Sequence, residues 1–108
     1  MNFINLTPHD VMIIDDDGNE THRYPRSGDI VRLATRELTN ISKDAENGVK
    51  LVHFGDLQDA PPETGDTRYI VSLPTALAVK RPDFLVPYDE VRDNAGRIIG
   101  CRSLARVM

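Results

Sequence analysis

The sequence predicts an α+β fold, a mostly antiparallel sheet or partly closed barrel carrying one short helix. Three observations predict it. Short aliphatic runs recur along the chain between Gly, Pro, Asn and Asp clusters, the pattern of strands and turns. Only the stretch entered at Leu73, with its helix at about 74–81, carries helix punctuation, with Pro74 in the first turn and Pro82 as the stop. That stretch lies between two strand-like runs, Arg68–Ser72 and Phe84–Pro87, so residues 68–87 read as a strand–helix–strand crossover between parallel strands.

Each element follows from its residues. Phe3, Ile4 and Leu6 open a strand that Thr7-Pro8 interrupts, because proline has no N–H for a ladder and restricts the residue before it. Val11-Met12-Ile13-Ile14 resumes it as a buried strand. Asp15-Asp16-Asp17-Gly18-Asn19 is a turn, and Thr21–Tyr24 returns as the second strand of a hairpin ended by Pro25. Ser27-Gly28 precedes an alternating run, Ile30–Thr35. Asn47-Gly48 is a tight-turn signal before Val49–Phe54. Pairing of Glu37–Ile41 with that strand makes residues 42–48 their loop. Gly55 to Thr67, containing Pro61-Pro62, reads as a surface loop. Asp93-Asn94-Ala95-Gly96 is a hairpin turn between Val91-Arg92 and Arg97-Ile98-Ile99, and the last strand runs nearly to Met108. The expected core includes Tyr69 or Ile70, Val71, Leu77, Phe84 and Val86.

Length and charge bound the function. A chain of 108 residues is expected to form one domain, 1–108. Its formal net charge of −4 argues against a general DNA or RNA binder, which needs a basic surface to displace counterions. It leaves room for a local basic pocket. Cys101 is the single cysteine, so no intramolecular disulfide forms, which suits a reducing cytoplasm. No apolar run reaches the length of a membrane span, and the N-terminus lacks a charged-then-apolar pattern. A cytoplasmic location is the expectation.

Several residues have chemistry worth placing. His9 follows Pro8, whose rigid backbone can fix the direction of the imidazole for a hydrogen bond or for general-base work. Its plainer role is to fasten a strand end to a loop. His9, His22 and His53 are too far apart in sequence to form a two-ligand pair, and no metal site is expected. Asp15, Asp16 and Asp17 lack the alternating ligands and distal Glu of a calcium loop, and read as a solvated turn. Cys101 has basic neighbours, Arg97 and Arg102, which could lower its pKa, and as a nucleophile it would need a positioned base such as His9; its plainer reading is a small buried residue after Gly100. Arg92, Arg97, Arg102 and Arg106 gather in the last strands. Arg102 and Arg106 share a face of a regular strand, where they could meet a phosphate beside Ser72, Thr75 or Ser103. The alternative is a set of surface ion pairs worth little each. Ser72 sits where strand becomes helix, a position for a cap or for an anion contact.

Four segments together resemble a family of roughly hundred-residue proteins of phages, prophages and the bacteria that carry them. They are Ile4-Asn5-Leu6-Thr7-Pro8-His9, the loop entry Phe54-Gly55-Asp56-Leu57, Tyr69-Ile70-Val71-Ser72, and Val91-Arg92-Asp93 with Gly96-Arg97-Ile98-Ile99-Gly100-Cys101-Arg102-Ser103. The resemblance spans nearly the whole chain. It implies a setting, a phage or mobile element, in which small proteins often counter host immunity. It supplies no catalytic residues.

The leading expectation is a non-catalytic phage-encoded protein that binds, and sequesters, a nucleotide-derived host immune signal, with no cofactor. Its polar contacts are expected from His9, Ser72, Arg92, Arg102 and Ser103, in a pocket formed partly by the chain ends. The runner-up is an interaction module that inhibits a host defence protein. A small hydrolase using His9 is third. Open strand edges favour a homo-oligomer, most simply a dimer.

Overall fold

The structure is a computed structural model, and it describes residues 1–38 and 48–108. Among the described residues, eight strands and one helix follow in the order β1 (Asn2–Asn5), β2 (Val11–Ile14), β3 (Glu20–Tyr24), β4 (Arg32–Leu38), β5 (Leu51–Gln58), β6 (Thr67–Ile70), α1 (Leu73–Ala78), β7 (Phe84–Arg92) and β8 (Ile98–Ala105). The class is α+β, as the sequence predicts.

Two hairpin turns use the same chemistry. Asp15 Oδ1 accepts the N–H groups of Asp17 and Asn19, and Gly18 closes the turn onto the Asp15 carbonyl with φ +84°. Asp93 Oδ1 accepts from Ala95 and Arg97, and Gly96 closes onto the Asp93 carbonyl with φ +81°. In both, a short carboxylate replaces a backbone partner, and glycine takes the left-handed position.

Six strands form one open sheet in the order β1-β6-β7-β8-β2-β3, while β4 and β5 form a separate antiparallel pair. Strand β7 joins the two halves of the larger sheet. Its start pairs parallel with β6 (Tyr69↔Phe84), and the rest pairs antiparallel with β8 from Val86↔Ala105 to Arg92↔Ile98. Strand β2 lies parallel beside β8 at Ile13↔Cys101. The sheet is therefore mixed, and it does not close into a barrel. Its two edge strands nevertheless meet at one end. Asn5 bridges to Arg26, and the Ser27 N–H and hydroxyl donate to the Asn5 carbonyl at 3.0 and 2.7 Å.

The strand–helix–strand unit is present, with β6 and β7 parallel around α1. Its core residues Tyr69, Ile70, Val71, Phe84 and Val86 are all buried. Leu77 is the exception and corrects the expectation: it is 53% exposed, and Thr75 and Ala76 face the sheet instead. The helix is also shorter than 74–81. Val79 is extended at φ −133°, with its N–H on the Thr75 carbonyl, so the last turn ends well before Pro82. Leu77→Ala should therefore change stability by less than about 0.5 kcal/mol, the scale of a surface substitution. A thermal melt shifted by many degrees would put Leu77 back in the core.

Two strand boundaries also need correction. Phe54-Gly55-Asp56-Leu57 is not a loop entry, because β5 continues to Gln58, paired at Leu33↔Leu57 and Arg32↔Gln58. Gly55 lies at a break in register opposite Ala34, between the pairs Thr35↔Phe54 and Leu33↔Leu57, and Leu57 packs on the core. The last strand ends at Ala105. Glu37 and Leu38 pair with β5 as expected, whereas Thr39–Ile41 and Asn47 lie outside the described residues.

Gly100 explains how β2 fits beside β8. A Cβ there would lie 2.8 Å from the Met12 carbonyl oxygen and 2.6 Å from Ile14 Cδ1. Small residues at 100–101 do admit a close neighbour, and it is the chain's own strand. Gly100→Ala should cost about 1–3 kcal/mol by overpacking against backbone. A denaturation midpoint equal to the parent's would show that β2 does not approach so closely.

Candidate functional site

The five polar residues expected at the site do not share one cleft. Ser72 precedes α1, and its hydroxyl meets the Thr75 hydroxyl at 3.0 Å without capping a backbone N–H. A six-residue helix is too short to present a useful dipole, so Ser72 does not mark an anion site of that kind. Arg92 is spent within its hairpin, on the Gly96 carbonyl at 2.8 Å and Glu90 at 3.2 Å. Arg102 reaches across to the carbonyls of Ile14 and Asp15, so it pins the β2–β3 turn. Ser103 is exposed opposite Tyr88 in the β7–β8 ladder. The side chain of His9 is exposed, while its carbonyl is what the structure uses.

That carbonyl belongs to a knot around Asn5, which is 1% exposed. Asn5 Nδ2 donates to the carbonyls of His9 at 2.7 Å and Tyr24 at 2.9 Å. Asn5 Oδ1 accepts the Thr7 N–H at 2.9 Å and the Thr7 hydroxyl at 2.6 Å. An amide offers two donors and two acceptors, and all four are used. The Asn-Leu-Thr-Pro-His segment thus welds β1 to β3 and to the start of β2. Sequence reasoning picked the imidazole because it is chemically conspicuous, and passed over the amide two residues before the threonine.

A second buried polar group was also missed. Asp83 is 2% exposed and accepts two bonds from Arg81, at 2.9 Å from Nε and 2.7 Å from Nη2. Arg81 Nη1 donates to the Pro61 carbonyl at 2.9 Å, and its guanidinium carbon lies 4.3 Å over the Phe84 ring. The hydrogen bonds to Asp83 raise the guanidinium pKa above its ordinary value, against the opposing effect of burial. Arg-x-Asp straddling Pro82 was the available signal.

Cys101 is 2% exposed, with its sulfur 3.6 Å from the Met12 carbonyl. Burial pushes its thiol pKa up, which opposes the thiolate that a nucleophile needs. Native protein should therefore react slowly with a thiol reagent at neutral pH and quickly once unfolded by denaturant. Equal rates in both states would place Cys101 at the surface.

Among the described residues, three open clefts bear on the site, and none of these is lined by a residue beyond Asp83. One, of about 460 Å³, lies among Glu63, Arg68 and Asp83. A second, of about 310 Å³, lies between the base of the β4–β5 hairpin and the start of α1. Leu6, Val31, Phe54 and Pro74 give it apolar walls, and Arg32, Thr7, Ser72 and Thr75 give it polar groups. It opens beyond the carboxyl ends of the parallel strands β1 and β6, the usual place for a ligand in parallel sheet. The third, of about 560 Å³, lies on the other side of Ile30. Ser72 is the only residue of the expected five in any of them.

Among the described residues, no group of three or more His, Cys, Asp or Glu could hold a metal ion. No helix among them is long and apolar enough to cross a membrane. No protein-family model, curated protein or solved structure matches the chain.

Proposed function

We propose that the protein is a non-catalytic small-molecule binder whose site is the cleft between the β4–β5 hairpin and α1. One observation carries the reading. In a chain of net charge −4, this cleft is lined by no carboxylate, and the Arg32 side chain makes no hydrogen bond or ion pair among the described residues. An unpaired guanidinium beside apolar walls and an exposed phenyl ring, Phe54 at 59%, suits an anion attached to a flat ring. In the phage setting that the resemblance implies, that ligand is a nucleotide-derived host signal, and binding removes it from its receptor in the cytoplasm.

Calorimetry with a panel of mono-, di- and cyclic nucleotides tests the assignment. Arg32→Ala should weaken binding about tenfold or more, the scale of a charge-assisted contact, and Phe54→Ala should also weaken it. His9→Ala, Arg92→Ala and Ser103→Ala should leave affinity unchanged. Loss of binding in these three, with Arg32→Ala silent, would move the site to the chain ends. Nucleotide turnover that disappears in His9→Ala would replace the binder with an enzyme.

A second reading, an interaction module, draws on the β4–β5 ribbon. It forms its own two-stranded sheet with Val52 and Phe54 exposed, and such a ribbon is marginal alone in water. The radius of gyration is 16.6 Å, against about 13 Å for a compact chain of this length. A homodimer that covers the ribbon is the economical outcome. Sedimentation at micromolar concentration should show the dimer, and a pure monomer would count against it.

A further inference from the structure

The larger sheet brings its own two edges together. Strands β1 and β3 meet at Asn5 and Arg26, and the rings of Phe3 and Tyr24 lie 5.4 Å apart. The β4–β5 ribbon does not. Among the described residues each of its strands pairs only with the other, so both outer edges are open. An open edge with exposed apolar side chains is a template for another strand. The residue order of β5 is complementary to itself. Lys50, Val52, Phe54 and Asp56 stand two apart and are all exposed, Val52 at 44% and Phe54 at 59%. When two identical strands pair antiparallel about a two-fold axis, one residue faces its own copy, and residues at equal distances on either side face each other. With His53 at the axis, Val52 faces Phe54 and Lys50 comes level with Asp56, and each contact is made twice. Neighbouring registers lose this. Centred on Phe54, Val52 faces Asp56; centred on Val52, Phe54 faces Lys50. Strand β4 offers no such register: centred on Arg36 it sets a guanidinium against its copy, and centred on Ala34 it sets Arg32 against Arg36.

We propose that β5 pairs antiparallel with β5 of a second copy of this chain, about a two-fold axis at His53, and joins two ribbons into one four-stranded sheet. This rests on the interaction-module reading and deepens it by naming the partner and the register. A two-stranded ribbon is marginal alone, and doubling it passes the three strands at which sheets persist. Val52 with Phe54 is an aliphatic–aromatic cross-strand pair, and Lys50 with Asp56 is one of opposite charge. The break in register at Gly55 leaves Leu51–Phe54 as the regular stretch of β5, and the axis falls within it. The register needs Lys50 close to the partner's Asp56, not free of its own chain. It also sets Val52 of the partner subunit beside Phe54, a wall of the anion-binding cleft.

Oxidative cross-linking of the full chain tests the register. His53→Cys should give a disulfide-linked dimer on a non-reducing gel, because paired antiparallel residues stand about 4.5–5.5 Å apart at Cα, within disulfide reach. Arg36→Cys, opposite His53 in its own ribbon, should stay monomeric on that gel, since its copy lies three strand spacings away, about 14 Å. Cys101 does not compete, being 2% exposed. Charge gives a second test by sedimentation at low salt. Lys50→Glu and Asp56→Lys should each dimerise about tenfold more weakly, through two like-charge contacts. An equimolar mixture of the two should recover the parent's affinity, because each reversed charge then meets its opposite. A pure monomer at micromolar concentration overturns this proposal together with the homodimer reading. A dimer that cross-links through Arg36→Cys and not through His53→Cys, or a mixture that binds no tighter than its components, overturns the register alone.

Discussion

Asn5→Asp should destabilise the protein by about 4 kcal/mol or more at neutral pH, more than Asn5→Ala does, although it changes one atom. The alanine variant strips the Tyr24 carbonyl and the Thr7 N–H of their side-chain partner at a buried site. Each such group costs about 1–3 kcal/mol when left unmade. The aspartate variant keeps both acceptors for Thr7 but replaces two donors by a carboxylate oxygen facing two carbonyl oxygens, His9 at 2.7 Å and Tyr24 at 2.9 Å in the parent. Burial and those dipoles both oppose the charge, so the folded pKa of the introduced carboxyl lies above its unfolded value of about 3.9. The folded state then holds a proton that the unfolded state releases. Stability of this variant falls as pH rises from about 4 upward, and is recovered on acidification relative to the parent. Urea denaturation of parent, Asn5→Ala and Asn5→Asp at several pH values checks both the order and the sign. A pH-independent difference between Asn5→Asp and the parent would mean that residue 5 is solvated.

The same knot shows what the sequence could and could not disclose. Punctuation was legible wherever a local conformation is demanded by one residue type: Gly18 and Gly96 in hairpin turns, Pro74 at the start of α1, Pro25 after β3. The crossover from β6 to β7 was legible because both strands and the helix between them are consecutive. The pairing of β2 with β8 was not, since it joins residues nearly ninety apart and rests on a property of Gly100 visible only when a second strand is beside it. The buried face of α1 was illegible for another reason. Six residues make fewer than two turns, too few for a period to declare itself, and Thr75 and Ala76 carry less apolar signal than the exposed Leu77. Among site candidates, Arg102 looked free because it binds the carbonyls of Ile14 and Asp15, and Arg92 because it divides itself between the Gly96 carbonyl and Glu90, and a sequence does not distinguish one backbone carbonyl from another. Arg32 and Phe54 drew no attention because the strand pairing that brings them to one cleft is not written locally.

Asp83→Ala should cost about 3–5 kcal/mol, the range for breaking a buried ion pair from one side. Against a total stability of roughly 5–15 kcal/mol for a chain of this size, that is enough to leave a large unfolded fraction on mild heating. The cause is the partner left behind. Arg81 is 17% exposed, so without Asp83 its charge is held against the Phe84 ring with the Pro61 carbonyl as its remaining acceptor. Either the guanidinium stays poorly solvated or it swings out, and in swinging out it releases the 59–66 connection from β7. Arg81→Met should be milder, because methionine keeps an apolar contact with the Phe84 ring, whereas Asp83→Ala leaves a guanidinium that cannot shed its charge. The double variant Arg81→Met/Asp83→Leu removes both charges and keeps the volume apolar, and should recover much of the loss, since the pair's attraction is offset by the desolvation of its two ions. A double-mutant cycle by denaturant unfolding reads the coupling directly. Additive losses would show that Arg81 and Asp83 act separately, and a near-neutral Asp83→Ala would show that the carboxylate is reached by water in the folded protein.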